Sequence, residues 1–175
     1  MKSKVIAGLA AVAVWLVCGA TGARAGWTVD IESGLAYNGY NDVRIPGDLG
    51  TDISLTEDLK SDGTAFLRLR LTADLGRRHQ LSILAAPLRF DASGRIDRAV
   101  DYNGVSFAAG EILTSRYRFD SYRLTYRYAL ARSERLRFDL GLTAKIRDAA
   151  IAISGQTESS EKTNTGFVPL INFAL

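Results

Sequence analysis

The chain has very few of the residues that form disulfides or bind transition metals. Its 175 residues include one cysteine, one histidine and one methionine, and Cys18 and Met1 both lie in the first 25 residues. Without that segment the chain has no thiol, which excludes disulfides and thiolate metal sites. A single histidine, His79, cannot form a histidine cluster around a metal. We therefore predict no metal site and no cofactor.

Long apolar runs are also scarce, and the longest lies near the N-terminus. Lys2 and Lys4 flank the start of the chain, an apolar stretch covers Val5–Cys18, and Ala23–Ala25 offers small residues at the two positions that a signal peptidase reads. This order is typical of a secretory signal peptide. The stretch is shorter than the roughly 20 apolar residues of a membrane-spanning helix. We predict a signal peptide over residues 1–25, cleaved after its last residue.

The rest of the chain lacks a net charge. The full sequence has 22 Lys and Arg against 19 Asp and Glu, and Lys2, Lys4 and Arg24 fall in the predicted signal peptide, which contains no acid. Residues 26–175 therefore carry 19 basic and 19 acidic residues. The basic pI of the whole chain belongs to the export signal. It gives no reason to expect binding to nucleic acid.

Apolar and polar residues alternate along residues 26–175, which is the period of a β-strand with one apolar face. The alternation is unbroken in four segments: Trp27–Tyr37, Ala65–Leu75, Tyr122–Leu130 and Leu136–Arg147. It is less regular in Gln80–Phe90 and Thr165–Leu175, and in the first of these the apolar residues change parity near Pro87. A bulge or bend at Ala86-Pro87 would explain that change. We predict six strands.

Short and long connections alternate between these strands. Gly76–His79 and Ala131–Arg135 are short polar turns. Three connections are long: Asn41–Gly63, Ala92–Thr114 and Asp148–Asn164. The second of them contains Asn103-Gly104, a strong hairpin signal. Short turns at one end and long loops at the other are typical of an up-and-down outer-membrane barrel, and the regular segments approach the roughly 9–11 residues of a membrane-crossing strand.

The polar parity of the strands is rich in charge. We predict a lumen charge network of seven bases and four acids: Asp30, Glu32, Arg68, Arg70, Asp74, Arg123, Arg127, Arg137, Asp139, Lys145 and Arg147. In a small barrel such charges need partners, which favours a salt-bridged plug. An open pore with this lining would instead favour anions.

Four stretches resemble a group of uncharacterised proteobacterial outer-membrane β-barrel proteins: YNDVRIPGD (Tyr40–Asp48), SYRLTYRY (Ser121–Tyr128), LTAKIRD (Leu142–Asp148) and SEKTNTGFVP (Ser160–Pro169). The resemblance covers most of residues 26–175 and implies an architecture, with no activity and no site residues. Members of that group continue with further strands beyond the equivalent of Leu175.

The pattern and the resemblance together predict an all-β fold, an antiparallel up-and-down transmembrane β-barrel over residues 26–175. About six strands are present of the expected eight or more. We therefore expect the barrel domain to be incomplete at its C-terminus.

No constellation typical of an enzyme is found in the sequence. A membrane-embedded lipid hydrolase would use a serine and a histidine, but His79 lies in a predicted turn. Six acids crowd the first long connection and could bind Ca²⁺: Asp42, Asp48, Asp52, Glu57, Asp58 and Asp62. Their spacing matches no calcium-loop motif, so we interpret them as a solvated loop.

We predict a non-enzymatic protein of a Gram-negative outer membrane with a structural, adhesive or porin-like role for small solutes or anions. Its expected partners are outer-membrane lipid and lipopolysaccharide, the barrel-assembly machinery and periplasmic chaperones. The alternatives are a soluble exported β-barrel or sandwich that binds a small ligand, and, less favoured, the lipid hydrolase.

Overall fold

The computed structural model describes residues 11–16 and 25–175. Most of the predicted signal peptide lies outside these residues, and the peptide and its cleavage after Ala25 stay predictions. The strands are β1 Ala11–Leu16, β2 Ala25–Ala36, β3 Asp42–Val43, β4 Ile53–Ser54, β5 Thr64–Leu75, β6 His79–Ala86, β7 Arg89–Arg95, β8 Val100–Tyr102, β9 Val105–Phe107, β10 Ile112–Arg132, β11 Arg137–Ser154 and β12 Ser159–Ala174. The helical structure described is one 3-10 turn, Gly47–Leu49. The described residues contain no helix long and apolar enough to span a membrane.

The main sheet is antiparallel and follows the order of the chain. It runs β1-β2-β5-β6-β10-β11-β12, and β7 pairs with β10 beyond the end of β6. All six predicted strands are confirmed: β2, β5, β10, β11 and β12 overlap five of them, and β6 with the start of β7 overlaps Gln80–Phe90. Among the described residues β1 and β12 end the sheet and do not pair with each other. The structure therefore shows an open antiparallel sheet, and no closed barrel is seen in it.

Tight turns join neighbouring strands as predicted. Gly76 has a φ of 78° between β5 and β6, a conformation that glycine adopts without steric cost. Asn103 and Gly104, with φ of 47° and 85°, form the turn between β8 and β9. Two consecutive positive φ angles are the signature of a type I′ hairpin. The hairpin predicted from these two residues is confirmed.

The third predicted loop is wrong. β11 continues to Ser154 and β12 begins at Ser159, and these two residues face each other across the ladder. Only residues 155–158 turn the chain. The first half of β12 is largely exposed, so its polar side chains are compatible with strand pairing. The result is a hairpin much longer than the alternation indicated.

The strand break at Pro87 leaves the register unchanged. β6 ends at Ala86 opposite Ser121, and β7 begins at Arg89 opposite Arg118. Three steps separate the two pairs on each strand, so the predicted irregularity is an interruption without the extra residue of a bulge. The apolar residues beyond Pro87 therefore lie on the other face of the sheet.

β10 makes the same exchange of faces without any break. Between its end at Arg132 and residue 121, one face is apolar: Tyr122, Leu124 and Tyr126. The opposite face there is polar: Arg123, Thr125 and Arg127. Towards residue 112 the first face becomes charged, with Arg116 and Arg118, while the second becomes apolar, with Leu113, Tyr117 and Phe119. The register with β11 is continuous from Thr114 to Ala129. The apolar side chains therefore change faces along one strand without a slip in register.

The apolar side chains beyond the exchange enclose a hydrophobic core, and we call this region of the structure the head. Two predicted loops, Asn41–Gly63 and Ala92–Thr114, supply most of it through β3, β4, β8 and β9. Its buried members are Val43, Ile53, Leu55, Leu59, Ala92, Ile96, Val100, Tyr102, Phe107, Leu113 and Ile153. The Tyr102 hydroxyl donates a 2.7 Å hydrogen bond to the Ile151 carbonyl, and burial raises the pKa of Tyr102 to about 12. The head is thus fastened to β11.

An ion pair ties the two loops of the head together. Arg98 donates to both carboxylate oxygens of Asp58 at 3.3 and 2.7 Å, and the Ser54 backbone N–H donates to the same carboxylate at 3.0 Å. The Arg98 guanidinium, aided by the Ser54 N–H, lowers the pKa of Asp58 below its ordinary value of 3.8. Two parallel hydrogen bonds between a guanidinium and a carboxylate fix the relative orientation of the two side chains and also stabilise the ion pair.

The Asp58 pair predicts a dependence of head stability on pH. Because the pKa of Asp58 is lower in the folded state, its contribution is complete above the ordinary value of 3.8 and is lost as the pH falls through the folded pKa. We expect the opening free energy of the head, measured by hydrogen exchange of β8 and β9 amides, to fall in this acidic range. Asp58→Asn should remove that component.

Glu57→Gln is the matched control, because Glu57 is exposed and adjacent in sequence. It should leave the acid dependence intact. An equal loss of dependence in both variants would contradict the assignment to Asp58.

Candidate functional site

The eleven charged residues predicted to line a lumen share one face of the sheet. Asp30 is opposite Arg70 in the β2–β5 ladder, and Arg123 is opposite Lys145 in the β10–β11 ladder. Directly opposed residues point to the same face, as do alternate residues along a strand. Continued across β5, β6, β10 and β11, this register places all eleven on what we call the charged face.

Two ion pairs join members of the charged face. Arg68 donates to Glu32 at 2.6 Å across the β2–β5 ladder, and both side chains are about one-third exposed. Arg137 donates to Asp139 at 2.8 Å within β11, and the Asp139 side chain is only 5% exposed. A buried carboxylate without such a partner would be costly, so Arg137 compensates the charge of Asp139, the buried one of these two carboxylates.

Positive charge remains on the face after these pairs are formed. Among the described residues, five bases make no ion pair with any carboxylate: Arg70, Arg123, Arg127, Lys145 and Arg147. Only two acids of the set are left, Asp30 and Asp74, and Asp74 accepts a 3.0 Å hydrogen bond from Gln80. The structure leaves the buried Nε of Arg123 and of Arg147 without a hydrogen-bond acceptor. The described part of the face therefore carries an excess of cationic donors.

A row of hydroxyl side chains crosses the same face. The ladders align one residue from each of five strands: Thr28, Thr72, Ser82, Thr125 and Thr143. The hydroxyls of Thr125 and Thr143 share a 2.8 Å hydrogen bond. Alternation in the sequence placed each on the polar parity, but their alignment depends on cross-strand register, which alternation does not give.

Arg127 reaches across the sheet because β11 has a glycine beside it. Gly141 faces Arg127 in the ladder, and a Cβ there would lie 2.9 Å from the Arg127 Cγ. With that space open, the guanidinium donates to the Asn172 side chain on β12 and to Gln80 at 3.3 Å on β6. Neutral amide partners orient the guanidinium and leave its charge uncompensated.

These elements line one recess of about 390 Å³. Its walls include three arginines, Arg70, Arg123 and Arg127, and it also contains Asp30. All five residues of the hydroxyl row border it. We call this recess, with its arginines and hydroxyls, the cradle. Its volume suits a small ligand, and its polar groups are mainly donors.

His79 does not lie in the turn where the sequence placed it. It is the first residue of β6, and its Nδ1 shares a 2.7 Å hydrogen bond with the Tyr126 hydroxyl. Its ring packs edge-on against Tyr128 at 5.1 Å. Because tyrosines occupy its surroundings, this arrangement gives no support to a serine–histidine pair.

The acids of the first long connection are dispersed. Asp58 pairs with Arg98, and Asp48 lies 3.7 Å from Arg44. In residues 11–16 and 25–175 no group of three or more Asp, Glu, His or Cys side chains is placed to hold a metal ion. Ion pairing to arginine accounts for two of the six acids.

Comparisons with known proteins add no relative. Searches of protein-family models, of curated proteins and of solved structures found no match.

The half-buried Arg68–Glu32 pair predicts a measurable coupling energy. Arg68→Gln or Glu32→Gln alone leaves one charge without its partner, whereas the double variant removes both. We expect a coupling energy of about 1–3 kcal/mol in a double-mutant cycle of unfolding.

The Arg116–Asp91 pair, with side chains 70% and 67% exposed, is the matched control. Its coupling should be below about 0.5 kcal/mol because water screens an exposed pair. Similar coupling energies for the two pairs would show that the charged face gives no protection from solvent.

Proposed function

We propose that this chain is a non-enzymatic integral protein of a Gram-negative outer membrane, and that its sheet is part of an up-and-down β-barrel. The observation that carries the proposal is a continuous apolar surface on the face opposite the charged face, which we call the apolar band. Sixteen large side chains form it, each 39–77% exposed: Trp27, Leu35, Leu67, Leu69, Leu71, Leu75, Ile83, Tyr122, Leu124, Tyr126, Leu140, Leu142, Ile146, Phe167, Ile171 and Phe173. Soluble proteins rarely expose an apolar patch that crosses a whole sheet.

The dimensions of the band support a membrane environment. On β5 the band runs from Leu67 to Leu75, and the exposed Ala65 extends this apolar face to a length of about 34 Å along the strand, at roughly 3.4 Å per residue. At a strand tilt of about 40° the band is roughly 26 Å high, close to the apolar belt of outer-membrane barrels at about 25 Å. On β11 its centre lies near Leu142.

The band ends at a row of charge. Asp120 and Asp148 face each other on β10 and β11 directly beyond Tyr122 and Ile146. Arg89 lies 3.4 Å from Asp120. Arg118 lies 3.4 Å from Asp148. Charged side chains at this level are expected where a hydrocarbon layer gives way to polar headgroups.

The head favours a binding or structural role over an open conduit. Its apolar core lies on the same side of the sheet as the charged face, immediately beyond Ser121 and Arg147. Side chains such as Tyr117 and Ile151 continue the core towards that face. Apolar packing beyond one end of a polar recess restricts the passage of ions and water. We therefore favour a structural, adhesive or small-solute-binding role.

The alternative class is a soluble exported β protein that binds a small ligand. It would need a second layer over the apolar band, as every soluble sandwich has. The described residues supply a layer only over the opposite side, in the head. A membrane barrel needs lipid there instead, and it needs pairing along the two edges of the sheet, at β1 and β12, so that no strand edge faces the hydrocarbon.

The test of membrane insertion is electrophoretic. The full chain, expressed in a Gram-negative host, should be recovered with the outer membrane and should migrate differently on SDS gels before and after boiling. A folded membrane barrel resists SDS until it is heated, because its backbone hydrogen bonds are all internal. Recovery in the soluble periplasmic fraction without detergent would overturn the proposal.

A substitution at the centre of the band tests the environment of that face directly. Leu142 lies in the band and is 67% exposed. If water covers the band, the folded protein should tolerate Leu142→Arg. In a bilayer the same change should destabilise the folded protein by about 2–4 kcal/mol. Folding into lipid vesicles, followed against urea, measures the difference.

Ile112→Arg is the matched control. Ile112 is 50% exposed and lies on the same face of β10, beyond the row of charge. It should cost less than about 0.5 kcal/mol, as for an ordinary surface substitution. Equal effects at the two positions would contradict the membrane assignment.

A further inference from the structure

We propose that the cradle binds a small oxyanion, a phosphate or carboxylate group carried by a water-soluble molecule. This inference rests on the proposed function and specifies the ligand class of that site. Arg70 and Arg123 lie in one cross-strand row, and Arg127 lies two rows away. The hydroxyl row lies between them, so the recess presents guanidinium groups on both sides of a line of hydroxyls.

The donors in the cradle outnumber its acceptors. Each guanidinium has five N–H donors and no acceptor, and the three arginines form no ion pair with a carboxylate among the described residues. The buried Nε of Arg123 lacks an acceptor. Asp30, the one acid bordering the recess, is directly opposed to Arg70 but forms no ion pair with it, and its buried Oδ1 also has no hydrogen-bond partner. The recess therefore sets three guanidinium groups against one carboxylate. An oxyanion supplies the acceptors that the protein leaves out.

The chemistry of the donors selects the ligand. Guanidinium groups bind phosphate and carboxylate oxygens through paired N–H donors, and hydroxyls donate singly to the remaining oxygens. Chloride offers no separated acceptor atoms to use such an arrangement. A recess of about 390 Å³ is larger than one phosphate, so the ligand has room for a small organic body.

The position of the cradle identifies the source of the anion. The arginines lie on the charged face, whereas the apolar band occupies the opposite side of the same strands. A lipid phosphate beside the band cannot reach through the sheet. The ligand is therefore a soluble solute that enters from the side of the charged face.

The test uses the full chain folded in detergent micelles and titrated by calorimetry with inorganic phosphate, and separately with succinate, at constant chloride. We expect saturable binding of at least one of them. Arg123→Gln and Arg70→Gln should each weaken that binding by about tenfold or more, because each removes a charge-assisted contact. Binding of neither probe would overturn the inference.

The control is the double variant Arg68→Gln/Glu32→Gln. It changes the same face but leaves its net charge unaltered and lies outside the lining of the recess. Its affinity should stay within about twofold of the parent. Equal weakening in the control and in Arg123→Gln would overturn the assignment to the cradle.

The heat-dependent shift on SDS gels separates the two proposals. Each variant must keep the shift of the parent, which shows that it is folded. A chain that shows the shift but binds neither probe overturns the cradle alone. A chain that is soluble without detergent overturns the membrane proposal and, with it, the cradle as the interior of a barrel.

Discussion

The register between β10 and β11 is the constraint on which the other features depend. The two strands pair without a shift from Thr114 to Ala129. Because side chains alternate with a period of two, a slip of one residue would move every side chain of the slipped strand to the other face of the sheet. Its apolar side chains would leave the apolar band, and its charged side chains would take their place. One continuous ladder therefore specifies two environments: an exposed apolar surface opposite charge, and, further along, a buried core opposite charge.

That division explains how residues 26–175, which carry no net charge, still have a local excess of positive charge. Acids in the head pair with arginine, as Asp58 does with Arg98, and the row beyond the band pairs Asp120 with Arg89. The charged face satisfies its most buried carboxylate, Asp139, from Arg137. The cradle is different, because its arginines contact neutral amides or no acceptor. A recess with a few convergent polar groups is the usual form of a small-ligand site.

Much of the fold could be predicted because alternation reports directly on strands and faces. The six strands and the common face of the charged residues follow from it, and the β8–β9 hairpin follows from the turn preference of Asn103-Gly104. The head could not be predicted in this way. A change of parity at Pro87 looks the same in the sequence whether the strand register slips or the apolar environment moves to the other face of the sheet. The extension of β11 was missed because residues 149–153 are apolar on both parities. The cradle needed alignment across five strands, which no single strand contains.

The head also determines the order in which the chain can fold. Its core joins Val43 and Ile53, near the beginning of the described chain, to Leu113 and to Ile153 near its end. Contacts this distant in sequence form late, because closing the intervening loop costs entropy before the contact contributes. The β3–β4 and β8–β9 hairpins therefore keep their apolar side chains uncovered until β11 exists. A chain synthesised from its N-terminus therefore exposes these apolar side chains until β11 has been made, and exposed apolar surface of this kind promotes aggregation.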